Sequence, residues 1–339
     1  MPFNVFSIVL RQWIKKPSLY ALFLPALTTA LVLHTHLAKS QPYPTKPLRL
    51  IVPFSTGSGS DTLARVFSNG LGQTLQQTIV VENRAGAAGN IGAQIAAHAT
   101  PDGYHLLLVN IAHAINVSIY KNPGYEPLRD FAMVSLIASG PALLVVHPSI
   151  PAHSLPQLIR LAKAQPGTLH QASGGNGTFT SLCAELFKRV AGIQFLHVPY
   201  RSGGEALSAV LSNEVNIYFS PVSGAIHSVK QNRLRALAIS SAHRLDLLPD
   251  LPTIAENGFP YFEVGNWYGV VLPAKAPVSR IQALSLASQN TLHIPTVQQH
   301  LKTLGLVTIG HSPEVFTSFF AAEINRWRPI VQSLPFNNE

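Results

Sequence analysis

Residues 48–61 read LRLIVPFSTGSGSD. Leu48, Leu50, Ile51 and Val52 form a nearly unbroken apolar run, the pattern of a short strand buried on both faces. The run stops at Pro53, and residues 54–60 (FSTGSGS) follow as a loop of glycines and hydroxyls. A helix is expected from near Asp61, because Leu63, Val66, Phe67, Leu71 and Leu75 recur at i, i+3, i+4 spacing. Strand, loop and helix in that order make the repeating unit of a parallel α/β sheet.

The rhythm continues down the chain. Further strands are expected at 78–82, 104–109, 142–147, 195–198, 215–219 and 235–240. Helices are expected at 89–98, from the Ser154 cap with Leu155, Leu158, Ile159 and Ala162 inward, and over the stretch carrying Phe179, Leu182, Leu186, Phe187 and Val190. Gln157, three residues after Ser154, completes a capping-box pattern. Cys183 falls on the apolar face of the third helix, which predicts a buried, inert thiol. Residues 267–273 (WYGVVLP) form a strand that opens a mostly helical last third. Its final helix begins at Ser312-Pro313-Glu314, with Ser as cap and Pro at the first helical position.

The 339 residues include 24 Lys+Arg, 15 Asp+Glu and a single cysteine, at only 12% charged. One cysteine excludes an intramolecular disulfide framework and any zinc site needing two thiolates. Residues 1–40 hold no acid; Arg11, Lys15 and Lys16 precede an uncharged stretch over 19–33, and Ala38-Lys39-Ser40 follows. That order is a secretory leader with cleavage expected after Ser40. Pro25 and the short apolar length argue against a membrane span. Removing the leader takes Arg11, Lys15, Lys16 and Lys39 from the 24 basic residues, leaving 20 against 15 acids. The remaining charges are scattered, so neither the clustered basic face nor the module that nucleic-acid binding needs is present.

Three glycine-bearing loops stand between a strand and a helix: 55–61 (STGSGSD), 173–178 (SGGNGT) and 200–204 (YRSGG). Helix N-termini carry free N–H groups and a positive dipole end, so such loops suit a carboxylate or phosphate. In open α/β sheets they lie at the carboxyl ends of strands, where ligands bind. Catalytic patterns are missing: no G-x-x-x-x-G-K-[ST], no G-x-S-x-G, no H-E-x-x-H. Residues 86–92 (GAAGNIG) have glycines at the wrong spacing for a dinucleotide loop, and the histidines after the leader are scattered. Asp61, an acid at a helix start, has capping as its default role. No cofactor or metal is implied.

Together these residues resemble the Bug-type extracytoplasmic solute receptors, the substrate-binding subunits of tripartite tricarboxylate transporters. Pro53-Phe54 with Gly57 and Asp61 is similar to the family's P-F-x-P-G-G-x-x-D motif. The likeness continues through VENRAGAAGNIGAQ (81–94), TPDGYHLLL (100–108), ASGGNGT (172–178) and HVPYR (197–201). It extends through LRALAISSAHRLDLLPDLPTIAENGFP (234–260) and WYGVVLPAKAP (267–277), and so covers nearly the whole chain after the leader.

The resemblance implies an α/β, two-lobed periplasmic binding protein fold (type II). Each lobe is a mostly parallel sheet flanked by helices, with the ligand cleft between them. Lobe one would comprise 41–141 and 266–339, and lobe two 142–265, with crossings near 139–143 and 263–266. The resemblance further implies a monomeric periplasmic receptor that is not an enzyme, with a small carboxylate as ligand and transporter membrane subunits as partners. Family ligands include dicarboxylates, tricarboxylates, acidic amino acids and aromatic acids, held by backbone and hydroxyl donors and bridging waters. Site residues expected on this basis are Phe54, Gly57, Ser58, Gly59 and Asp61 in lobe one. Lobe two would supply Ser173, Gly175, Gly177, Thr178 and Tyr200, with Ser202 and Ser220.

Several positions depart from the family pattern. Thr56 and Ser58 stand where Pro and Gly are usual, Ser181 where His is frequent, and Ser220 where Asp is common. Residues 202–205 (SGGE) replace a G-x-x-P run. These changes add hydroxyls and remove a charge, and Glu205 near the pocket disfavours a polyanion. A mono- or dicarboxylate is therefore expected in preference to citrate. Two other readings remain open at this stage: a ligand sensor for a membrane signalling protein, and a secreted α/β enzyme acting on a carboxylated substrate.

Overall fold

The computed structural model describes residues 43–336. The expected leader and its cleavage point lie outside the described residues. Strand β1 (Leu48–Val52) is buried except at Arg49, which reaches Glu82 across the neighbouring strand at 3.5 Å. Helix α1 (Gly59–Leu75) turns Leu63, Phe67 and Leu71 inward and ends at Gln76 in the left-handed region. There follow β2 (Ile79–Asn83), α2 (Asn90–Ala97), β3 (His105–Asn110), α3 (Ile111–Ile119), the single turn α4 (Pro127–Asp130) and β4 (Phe131–Val146).

Next come α5 (Leu155–Ala164), β5 (His170–Ser173), α6 (Phe179–Ala191), β6 (Leu196–Pro199), α7 (Gly203–Leu211), β7 (Ile217–Pro221), α8 (Val222–Lys230) and β8 (Arg235–Ile239). The chain closes with β9 (Gly265–Pro273), α9 (Val278–Leu292), α10 (Pro295–Thr303), β10 (Val307–His311) and α11 (Pro313–Gln332). Among the described residues, no helix is long and apolar enough to cross a membrane.

The strands order as β2-β1-β3-β9-β4-β7-β5-β6, with β8 and β10 also on β4. Parallel pairing, expected from the strand–helix alternation, holds for β1 with β2 and β3, and for β5 with β6 and β7. The inner ladders are antiparallel, so each half is mixed. The reason is β4. It is 16 residues long, far beyond the 142–147 segment its sequence suggested. Its first part pairs β9 as far as Pro141, and from Ala142 it pairs β7 and β8. One strand thus serves both halves.

Gly140-Pro141 reads as a break, yet both residues fit this switch. Proline donates no ladder bond and is tolerated where pairing changes. A Cβ on Gly140 would lie 2.6 Å from Leu306 and 3.1 Å from the Gly305 carbonyl, so the close approach of the segment before β10 favours glycine. Ser240 pins the same point: its Oγ accepts from Ala142 N at 2.8 Å and donates to the Val264 carbonyl at 2.6 Å. The two segments that pass between the halves are therefore tied through one buried hydroxyl.

Helix starts follow the side chains. Ser58, Asn110, Ser154, Thr178, Ser202 and Ser312 each cap a helix by accepting a first-turn N–H. Gln157 departs from the capping-box expectation, because its Oε1 accepts from His153 N at 2.6 Å, one residue before the cap. Cys183 is fully buried, and burial pushes its thiol well up. In the half containing β9, buried Glu323 accepts from both Trp267 and Trp327 indoles at 2.9 Å, joining β9 to α11. Strand β10 was not anticipated; none of its five residues is buried, and VTIGH carries no apolar run.

Candidate functional site

A cavity of about 670 Å³, its open mouth included, lies where the two halves meet. The β1–α1 loop supplies one wall. Within it Phe54, Gly57, Ser58 and Gly59 of the proposed set line the cavity, and Ser55 joins them. The opposite wall carries Thr178, Ser202 and Ser220 from the expected set. Gly175 and Tyr200 border the adjoining opening rather than the cavity itself. Tyr200 turns its hydroxyl outward to Glu214 at 3.0 Å.

Asp61, Ser173 and Gly177 do not line the cavity. Asp61 lies behind the loop and holds it. Its Oδ2 accepts from Gly57 N at 2.9 Å and Arg65 Nε at 3.0 Å, and its Oδ1 accepts from Asn83 Nδ2 at 3.0 Å. Burial alone would raise this carboxyl; the bonds from Arg65, Gly57 and Asn83 outweigh it and hold it below its usual value. Ser173 Oγ meets His197 Nε2 at 2.6 Å and accepts from Gly175 N at 3.1 Å. The Ser–His contact looks like a nucleophile–base pair, but Ser173 is fully buried away from the cavity, so it shapes the 173–178 loop. Gly177 packs against the other half: a Cβ there would lie 2.4 Å from Asn116 Oδ1 and 3.2 Å from Tyr120. Beside it the Tyr120 hydroxyl donates to the Asn176 carbonyl at 3.2 Å.

The cavity's electrostatics come from backbone. Gly59, Gly89, Asn110, Thr178, Ser202 and Pro221 all line it, and each caps or begins a helix. The positive dipole ends of these helices converge on one space. No carboxylate lines it, and Arg201 is the one lining side chain with a formal charge. Glu205 borders the adjoining opening, where it accepts from Arg201 N at 3.3 Å. Such a surface suits an anion, and its lining includes no carboxylate or imidazole.

Sequence reasoning missed part of this lining. Residues 86–89 (GAAG) lack dinucleotide-loop spacing, yet Gly86, Ala88 and Gly89 form cavity wall. All four have positive φ, at 138°, 45°, 55° and 98°. Two alanines in the left-handed region cost about 1–2 kcal/mol each, strain of a kind that collects at binding sites. Asn110, Thr180, Tyr218 and Asn266 were missed as well. Asn110 had a readable signal, being a capping residue directly between an apolar strand and an apolar helix.

His113 completes the Asn110 cap, its Nδ1 accepting from Asn110 N at 3.1 Å. Burial lowers the imidazole from 6.5 to about 4, against a raising contribution from Asn110. Between those two values the unfolded chain holds a proton that the folded chain does not. Stability is therefore complete above pH 6.5 and falls as pH drops toward 4, by about 3 kcal/mol in all. His113→Gln retains an acceptor for the cap and does not titrate. Urea unfolding of this variant should lose about 2–3 kcal/mol less than the wild type between pH 7.5 and 4.5. An equal loss would mean that the folded imidazole takes up its proton normally.

The family model described as "Tripartite tricarboxylate transporter family receptor" matches residues 63–336. The chain belongs to this family. Among curated relatives, a UPF0065 protein from the tcbD–tcbE intergenic region of Pseudomonas sp. (strain P51) is 34% identical over 313 residues, 92% of either chain. Protein BugT of Bordetella pertussis is 33% identical over 292 residues, 86% of this chain and 90% of BugT.

Among solved structures, the periplasmic binding protein BugD superposes with a TM-score of 0.85 at 29% identity, covering 88% of this chain and all of BugD. Rpa4515 of R. palustris, solved with adipate, gives 0.83 at 31% identity over 86% of this chain and 99% of its own. MatC of Rhodopseudomonas palustris, solved with bound malate, gives 0.81 at 29% identity over 85% of this chain and 100% of its own. The fold is thus the mixed α/β fold of periplasmic binding proteins, and the family is one of solute-binding receptors, not enzymes.

Proposed function

We propose that this receptor captures a small carboxylate between two lobes and delivers it to a tripartite tricarboxylate-type membrane transporter. The lobes correspond to 41–141 with 266–339 and to 142–265. The receptor works in the periplasm after export by a leader cleaved behind Ser40. One observation carries the reading: helix N-termini from both halves converge on a cavity whose lining has no carboxylate. An acceptor-only ligand is what such a lining matches. The bound adipate and malate of the two relatives are dicarboxylates, which supports the same class. Glu205 at the adjoining opening favours a mono- or dicarboxylate over citrate.

The site residues of this reading are Phe54, Gly57, Ser58, Gly59, Thr178, Ser202 and Ser220, with Ser55 added. Asp61, Ser173 and Gly177 act as positioning residues behind them. Thermal unfolding of ligand-stripped protein against a panel of short mono- and dicarboxylates tests the proposal. An acid present at about 100 times its Kd should add about 2.7 kcal/mol to the native state. A flat response across the whole panel would overturn it.

A further inference from the structure

The donors of this cavity answer a carboxylate; one of its acceptors does not. Asn266 lies on β9 opposite Gly140, where the chain passes between the halves, and it lines the cavity. The residue is 2% exposed. Its Nδ2 donates to the Tyr268 hydroxyl at 2.8 Å. Burial raises Tyr268 to about 12, so the phenol stays protonated, with Ser60 and Ser223 beside it. Asn266 Oδ1 is left buried with no hydrogen-bond partner among the described residues.

Ser55 Oγ is also buried and unpartnered at the cavity wall, but a hydroxyl turns to donate and so suits a carboxylate. A carbonyl oxygen has no such choice. Facing a ligand that offers acceptors alone, it would remain unpaired, which is costly in a buried site. We propose that Asn266 is a specificity-determining residue whose carbamoyl oxygen accepts a hydrogen bond from a hydroxyl or amino group borne by the bound carboxylate. The preferred ligand class is then a hydroxy or amino acid rather than the corresponding plain acid. This rests on the carboxylate reading above and narrows it.

Titration calorimetry on the full protein with matched pairs tests the assignment. The probes are malate against succinate and lactate against propionate, each pair differing by one hydroxyl. The hydroxylated member should bind about tenfold more tightly, the size of one buried neutral hydrogen bond gained against one left unmade. In Asn266→Leu the preference should fall below about twofold. Equal binding of both members to the wild type, or tighter binding of the plain acid, overturns the assignment and leaves the carboxylate reading standing. A preference that survives in Asn266→Leu overturns it too, because the discrimination then lies elsewhere. If no member of either pair binds, the carboxylate reading fails for short acids and the assignment falls with it. The wild-type comparison decides even if the variant does not fold.

Discussion

Gly177→Ala is expected to weaken carboxylate binding at least tenfold. Two effects act at this position. Its φ of +76° lies in the left-handed region, where an L side chain costs about 1–2 kcal/mol. In addition, the new methyl would sit 2.4 Å from Asn116 Oδ1 in the other half, a separation real Cβ atoms do not adopt. That clash exists only while the halves meet, so on the proposed function it acts against the form that holds ligand. A bias of about 1.4 kcal/mol against that form already reduces affinity tenfold. Gly167 provides the control. It has the same φ of +76°, but nothing lies within 4 Å of its added Cβ. Gly167→Ala should lower unfolding stability by about 1 kcal/mol and leave affinity unchanged. If both variants bind with wild-type affinity, the contact at Gly177 is not part of closure.

Asp61→Asn should give the second large effect, on stability and binding together. The carboxylate accepts from Gly57 N, Arg65 and Asn83, and an amide nitrogen cannot accept from any of them. Arg65 is half exposed, so its share is screened by solvent. The buried bonds to the loop remain the main loss, about 2 kcal/mol in urea unfolding at pH 7. The same loop presents Gly57, Ser58 and Gly59 to the cavity, so Kd should rise at least tenfold. The lowered carboxyl of Asp61 adds a pH signature. Its contribution is present above the ordinary value of 3.8 and is lost as pH falls through the folded value. Wild type and variant should therefore converge in stability in strong acid. A variant as stable as the wild type at neutral pH, binding equally well, would remove Asp61 from any role in shaping the loop.

Much of this organisation was legible in the chain because it is local. Apolar runs bounded by glycine and proline mark β1 and β3, and a hydroxyl before an apolar helix marks the caps at Ser58, Thr178 and Ser202. Such features depend on residues a few positions apart. What escaped depends on contacts far apart in sequence. Strand β4 runs through Gly140-Pro141 because Leu306 and Gly305 press against it from a segment more than 160 residues later. Asp61 has the look of a ligand-facing acid, and only the three-dimensional positions of Gly57 and Asn83 turn it inward. The 86–89 turn has no dinucleotide-loop spacing. Its function in the wall follows from strained backbone, which composition does not report. Asn266 resembles any strand residue until its amide is seen anchored on Tyr268 with the oxygen left over.

The central claim is that backbone and hydroxyl donors at converging helix N-termini recognise a carboxylate group. Titration calorimetry of the purified protein with its tightest-binding acid and with the primary amide of that acid tests this most directly. The amide keeps the ligand's size but replaces one acceptor oxygen and its charge with a donor. Charge-assisted hydrogen bonds are about twice as strong as neutral ones, and the new donor would face donors. The account predicts that the amide binds at least about 100-fold more weakly. Equal affinity for acid and amide would contradict it.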